Sequence, residues 1–168
     1  MTQSTKHSDI VQGLAARLAA AGETLLGRSL AIRHVDAGSC GGCEMELLSA
    51  TLMWDHLGCH GICMVEDPRS ADILLITGVS STGLAEAARQ CLAAMARPRF
   101  VVAVGDCAAD GGIFKGSPSV LGGAAAILPV DLVISGCPPS PARIISGLLT
   151  VLDANRAASA LGSPVGRL

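Results

Sequence analysis

The chain has 168 residues, a net charge of −2 and a mean hydropathy of +0.52, with half its residues apolar and 15% charged. That hydropathy excludes a disordered chain, and a single domain of this length buries about 70% of its unfolded surface without staples. The longest apolar stretches, 73–79 and 121–130, fall short of the roughly 18 residues a membrane span needs, and no basic run marks a nucleic-acid binder. The first nine residues are polar and no apolar leader follows them, so a reducing cytoplasm is expected. Seven cysteines in that compartment point to metal, cluster or core packing rather than to a disulfide framework, and an odd number leaves one thiol over in any pairing.

In chain order, Ser8 to Leu26 reads as a helix with Ser8 or Asp9 as cap, an apolar stripe of Ile10, Leu14, Leu18, Ala21 and Leu25, and Gly27 as terminator. Such a helix either packs on its own domain or docks another subunit. From Leu30 strands and helices alternate. Strands are expected at Leu30 to Val35, Ile62 to Val65, Asp72 to Thr77, Phe100 to Val104 and Leu132 to Ser135. Helices are expected at Glu44 to His56, Leu84 to Ala96 and Pro141 to Leu152. The alternation predicts an α/β fold: a flavodoxin-like, doubly wound, mostly parallel sheet with an N-terminal helical extension. The expected division is a polar tail and helix over 1–28, the α/β domain over 29–155 and a tail over 156–168. Residues 107–130, rich in glycine, read as one long loop, and so long a loop in a compact domain is usually functional.

The cysteines carry the sharpest signal. In an open α/β sheet, sites form outside the carboxyl ends of the strands. Cys40 and Cys43 follow the first strand, Cys107 follows the strand ending at Val104, and Cys137 follows the strand ending at Ser135. Four cysteines therefore leave three strands at one edge, each beside glycine, whose backbone comes close and offers N–H groups to an anionic sulfur. Core cysteines fall inside strands and on helix faces instead. Four thiolates suit structural zinc or an iron–sulfur cluster. One Cys-x-x-Cys joined by two distant single cysteines favours the cluster, because structural zinc usually takes compact paired spacings. Cys91 reads as a core residue on its helix, and Cys63 as a strand residue. Cys59, His60 and Cys63 form a weaker Cys-His-x-x-Cys pattern without a fourth ligand nearby. His34 reads as a structural histidine.

These segments together resemble a known family. Asp36-Ala37-Gly38-Ser39-Cys40-Gly41-Gly42-Cys43, Pro68-Arg69-Ser70-Ala71-Asp72, Val104-Gly105-Asp106-Cys107-Ala108, Asp110-Gly111-Gly112-Ile113-Phe114 and Gly136-Cys137-Pro138-Pro139 stand in the family's order. The family is the small, cluster-bearing subunit shared by respiratory complex I (its B subunit) and the energy-converting [NiFe] hydrogenases. The hydrogenase-4 and formate-hydrogenlyase branch is the nearest in pattern. Complex I subunits carry adjacent cysteines at the first position, whereas here two glycines separate Cys40 from Cys43, as in hydrogenases. Ser140 stands where complex I usually has arginine, and Glu44 where aspartate is common in the branch.

The resemblance implies one [4Fe–4S] cluster on Cys40, Cys43, Cys107 and Cys137. It implies an oxidoreductase subunit with no complete active site of its own, relaying electrons between a large catalytic subunit of [NiFe] type and a ferredoxin-like subunit. Membrane subunits would be indirect partners, and the chain would sit on the cytoplasmic, inner side of the membrane. Glu46 and Asp106 are the acids expected to couple cluster charge to protons; Glu46 also suits a plain capping role in the first turn of its helix. A complex I-type role with quinone as acceptor, and a relay in a hydrogenase-4-like complex without nickel, are the rival readings. A zinc-stapled interaction module is the outsider.

Overall fold

The computed structural model describes the backbone of residues 3–56 and 61–160 and the side chains of 9–52 and 61–157. Five strands, β1 (Leu30–Asp36), β2 (Ile62–Met64), β3 (Ile73–Thr77), β4 (Phe100–Val104) and β5 (Leu132–Ile134), form one sheet in the order β2-β1-β3-β4-β5. Every pairing is parallel. This is the flavodoxin-like order, and its reversal of direction lies between β1 and β3.

Both faces are covered, which is why β3 and β4 are apolar at nearly every position and buried throughout. On one face α1 (Gln3–Leu26), α2 (Gly42–His56) and α5 (Pro141–Ala160) pack over Ile32, Ile73, Leu75, Val102 and Ile134. On the other, α3 (Ala85–Ala94), the short α4 (Asp106–Asp110) and the turn Ala124–Ala126 cover Leu74, Ile76, Val101 and Ala103. Successive residues of β3 thus divide between the two cores, as the pleat requires.

α1 starts at Gln3, not Ser8, and its buried seam is Val11, Ala15, Leu18 and Ala21, while Ile10 is 58% exposed. The seam falls on small residues because α1 lies close against α5, within the same cluster as Leu148, Leu149 and Leu152. The helix therefore packs on its own sheet. Gly27 ends it, donating its N–H to the Glu23 carbonyl at 2.9 Å. The last helix runs beyond Leu152 to Ala160, carried by alanines and an Asp153–Arg156 pair one turn apart, so the first residues of the expected tail are helical. Leu84 lies just before α3 and is exposed, whereas Cys91 is half-buried against the second core.

Residues 107–130 are not one open loop. They begin in α4, continue through the turns Gly112–Phe114 and Ala124–Ala126, and are laced to the segment after β3. Ser80 donates its N–H to Gly122 and its hydroxyl to Gly123, and Ser81 bridges Val120 in antiparallel fashion. Backbone bonds of this kind leave no hydrophobic period in the sequence.

At the opposite end of the sheet, the buried Asp72 takes both Nη groups of Arg28 at 2.9 and 2.6 Å and the Ala31 N–H at 2.9 Å. It staples the start of β1 to the start of β3. Asp72→Ala is expected to cost about 2 kcal/mol in chemical denaturation, mainly by leaving the Ala31 N–H without its acceptor, since Arg28 reaches solvent.

Candidate metal centre

The site assembles at the carboxyl edge of the sheet. After β1 the chain turns tightly because Asp36 Oδ1 accepts the N–H groups of Gly38 and Ser39, both at 2.8 Å. Ser39 Oγ then accepts the Gly41 N–H at 3.1 Å. This hooked segment presents Cys40 to solvent and delivers Cys43, half-buried, into the first turn of α2. β3 supplies no cysteine at this edge. Its contribution is Gly78, at φ +76°, where an added Cβ would lie 2.5 Å from Gly38 C and Ser39 N. Only glycine lets the β3 end press on the cysteine hook in this way.

β4 and β5 bring the other two cysteines. Gly105 donates its N–H to Ile134 O at 2.8 Å, holding the two strand ends together. Its φ is +92°, and an added Cβ would sit 2.5 Å from Cys43 Sγ. Cys107 is half-buried in α4, and Cys137 is exposed after Gly136. Gly42 completes the ring: its Cβ position lies 3.6 Å from Cys40 Sγ and 4.0 Å from Pro138, the residue next to Cys137.

The thiols feel one another. Burial, then Glu44, then the neighbouring Cys107, Cys40 and Cys137 push the Cys43 thiol up to about 11. Burial raises Cys107 too, followed by Cys137, Cys40, Asp106 and Asp110. Negative charge is thus penalised on Cys43 and Cys107, from two different loops, which is the environment a cationic group relieves. Among the described residues no group of three or more His, Cys, Asp or Glu side chains is arranged to hold a metal ion. A tetrahedral zinc would require its sulfurs within about 4 Å of one another, given bonds of about 2.3 Å. A four-iron cluster takes one cysteine per iron and spreads its ligands more widely. The donor set fits the cluster: four thiols, three loops, and close-approaching glycine backbone on several sides.

Around this ring stand the other residues singled out from the sequence. Asp106 opens α4, and its carboxylate Oδ1 accepts the Gly136 N–H at 2.7 Å. Glu46 lies half-buried on α2, one turn beyond Cys43. His34 Nε2 lies 2.8 Å from Thr77 Oγ1 and 3.8 Å from Glu44 Oε1. Burial lowers its pKa against the opposing pull of Glu44 and Asp36, with Arg33 adding to the lowering. Both carboxylate oxygens of Glu44 are buried without a hydrogen-bond partner. The sequence marks Glu44 only as a departure from the branch's aspartate and Thr77 only as a strand end; their nearness to His34 emerges from the structure. The available signals were adjacency for Glu44, which follows Cys43 directly, and period for Thr77, the last residue of β3 on the face shared with His34. Cys63 is exposed on the edge strand β2, while Cys59 and His60 lie outside the described residues.

A doubly wound sheet that gathers four cysteines at its carboxyl edge is the architecture of an oxidoreductase subunit, and known proteins identify which kind. Residues 40–151 match the family model of the NADH ubiquinone oxidoreductase, 20 Kd subunit, and the chain belongs to that family. It is 35% identical over 128 residues to the probable membrane-bound hydrogenase subunit mbhJ of Pyrococcus furiosus, covering 76% of this chain and 77% of the relative. It is 37% identical over 125 residues to formate hydrogenlyase subunit 7 of Escherichia coli, covering 74% of this chain and 49% of that one. Among solved structures it is similar to a chain of the membrane-bound sulfane sulfur reductase, an archaeal respiratory membrane complex. That likeness has a TM-score of 0.64 and 26% identity, over 75% of this chain and 70% of the other. No helix among the described residues is long and apolar enough to cross a membrane.

Two outcomes follow from this geometry. Gly105→Ala is expected to displace Cys43 Sγ and strip bound metal from the protein, read as metal per chain, while far-UV circular dichroism stays near wild type. In the metal-free chain, folded Cys43 keeps a proton that the unfolded chain releases. Stability is therefore expected to be full below pH 9 and to fall as pH rises toward about 11, measured by denaturant titration across that range.

Proposed function

We propose that the chain holds a single [4Fe–4S] cluster through Cys40, Cys43, Cys107 and Cys137 and serves as the electron relay of a membrane-associated, hydrogenase-type complex. The observation that supports this reading is that four cysteines follow three strand ends at one edge of the sheet, with glycine backbone close against the sulfurs of Cys40, Cys43 and Cys107. Bound there, the cluster would supply one-electron transfer. This chain's residues would do the rest. Gly105 admits the sulfur of Cys43 to the sheet edge, and Gly112, whose added Cβ would stand 3.1 Å from Cys107 Sγ, admits the second. Glu46, one turn along α2 from Cys43, is the acid placed to hold a proton near the reduced site.

The partners follow from the surface. Met45, Leu48 and Leu52 form an apolar stripe on α2 and are 64, 50 and 54% exposed. Ile113 and Phe114 add exposed apolar surface on the segment that follows Cys107. Such a stripe beside a redox site calls for a protein cover, and we assign it to the large catalytic subunit, with a ferredoxin-like subunit at the electron-entry side. The complex would hold the chain on the inner face of the membrane through subunits that span it. A complex I-type relay to quinone is the second reading, favoured by the family match itself.

Isolation of the complex without oxygen, with a tag on this chain, decides among them. Iron and acid-labile sulfide each in excess of about four per copy of this chain, together with about one nickel, is the expected result. Iron and sulfide without nickel would move the partner to the quinone-reducing or nickel-free class. Zinc without sulfide would overturn the cluster assignment. Charge placed in the stripe, as Leu48→Asp with Leu52→Asp, is expected to cut co-purification of the large subunit at least ten-fold and leave the fold of this chain unchanged.

A further inference from the structure

The loops that carry Cys107 and Cys137 are joined by a reciprocal pair of bonds. The Asp106 N–H donates to Gly136 O at 2.9 Å, and the Gly136 N–H donates back to Asp106 Oδ1 at 2.7 Å. One residue thus gives its backbone donor and its side-chain acceptor to the same partner. Each partner is the immediate chain neighbour of a cysteine. Gly105, just before, bonds Ile134 of β5, so three consecutive rungs run from the sheet into the site. The first and second rungs are backbone–backbone bonds. The third requires an acceptor one methylene from the backbone at position 106, and it is the one rung that depends on the identity of that side chain.

Resting on the cluster reading above, we infer that Asp106 is the positioning residue that sets the separation of Cys107 from Cys137 through its acceptor oxygen. This gives the residue a different task from the proton coupling expected of it from sequence. Its carboxylate is already engaged by backbone, and what the site takes from it is a fixed distance. The charge has a secondary effect in the same place, since the negative carboxylate is among the groups that disfavour negative charge on Cys107.

Two near-isosteric variants separate acceptor from charge. Asp106→Asn keeps an oxygen at the same reach and removes the charge. Asp106→Glu keeps the charge and moves the oxygen one methylene outward. Both are made in the intact complex, purified without oxygen and checked for full subunit stoichiometry. The readouts are iron and sulfide retained against a chelator, the low-temperature electron paramagnetic resonance spectrum, and the midpoint potential.

The expected result is that Asn retains iron and the wild-type spectrum with a midpoint shifted upward. Glu should lose iron about ten-fold more readily, as outer-shell partners of metal ligands commonly do when displaced. Wild-type retention by Glu with loss by Asn would overturn the inference in favour of a charge role. Equal behaviour of the two variants, whether both retain or both lose iron, would also overturn it. A wild-type complex without sulfide would sink the cluster reading, and this inference with it, so the two failures are told apart by the wild-type assay alone.

Discussion

All five strands run in one direction, and the placing of the cysteines depends on that constraint. In a parallel sheet every strand delivers its carboxyl end to the same edge. Register then matters: Thr77 stands beside both Asp36 and Val104, and Val104 beside Ile134, so β1, β3, β4 and β5 end nearly level. Cysteines more than ninety positions apart in the chain can meet only because of this levelling. Reversing β1, β4 or β5 would send its cysteine to the far edge, where Arg28 and Asp72 stand.

Levelling alone would leave a gap, because β3 lies between β1 and β4. The gap is closed by what β3 lacks. Gly78 has no side chain, so the β3 end presses directly on the Gly38–Ser39 backbone, and Gly105 lets β4 do the same to Cys43. Side-chain oxygens finish the shape: Asp36 folds the first hook, and Asp106 ties the end of β4 to the end of β5. The cost is electrostatic. Burial first, and neighbouring negative charge second, disfavour the thiolates of Cys43 and Cys107, so in the metal-free chain these two thiols hold protons that a metal would displace.

Much of this was legible in the sequence. Continuous apolar runs such as Ile73 to Thr77 announced a sheet covered on both faces, and the position of each cysteine after a strand announced its place at the carboxyl edge. Leu18 and Ala21 of the expected α1 stripe are buried, but its start was misplaced by one residue: large side chains drew attention to Ile10 and Leu14, while Val11 and Ala15 are the fully buried positions. The segment after Cys107 looked featureless because its order comes from backbone bonds to Ser80 and Ser81, which leave no periodic trace. The proximity of Glu44 to His34 was hidden for a related reason: it depends on α2 and β1 crossing at one point, and spacing along the chain does not encode such a crossing.

The apolar stripe of Met45, Leu48 and Leu52 begins on the same helix turns that carry Cys43 and Glu44. On the reading proposed above, a subunit that covers the stripe would lie against the helix turn that carries Cys43. Subunit association and the exclusion of oxygen and water from that thiol would then be one event rather than two.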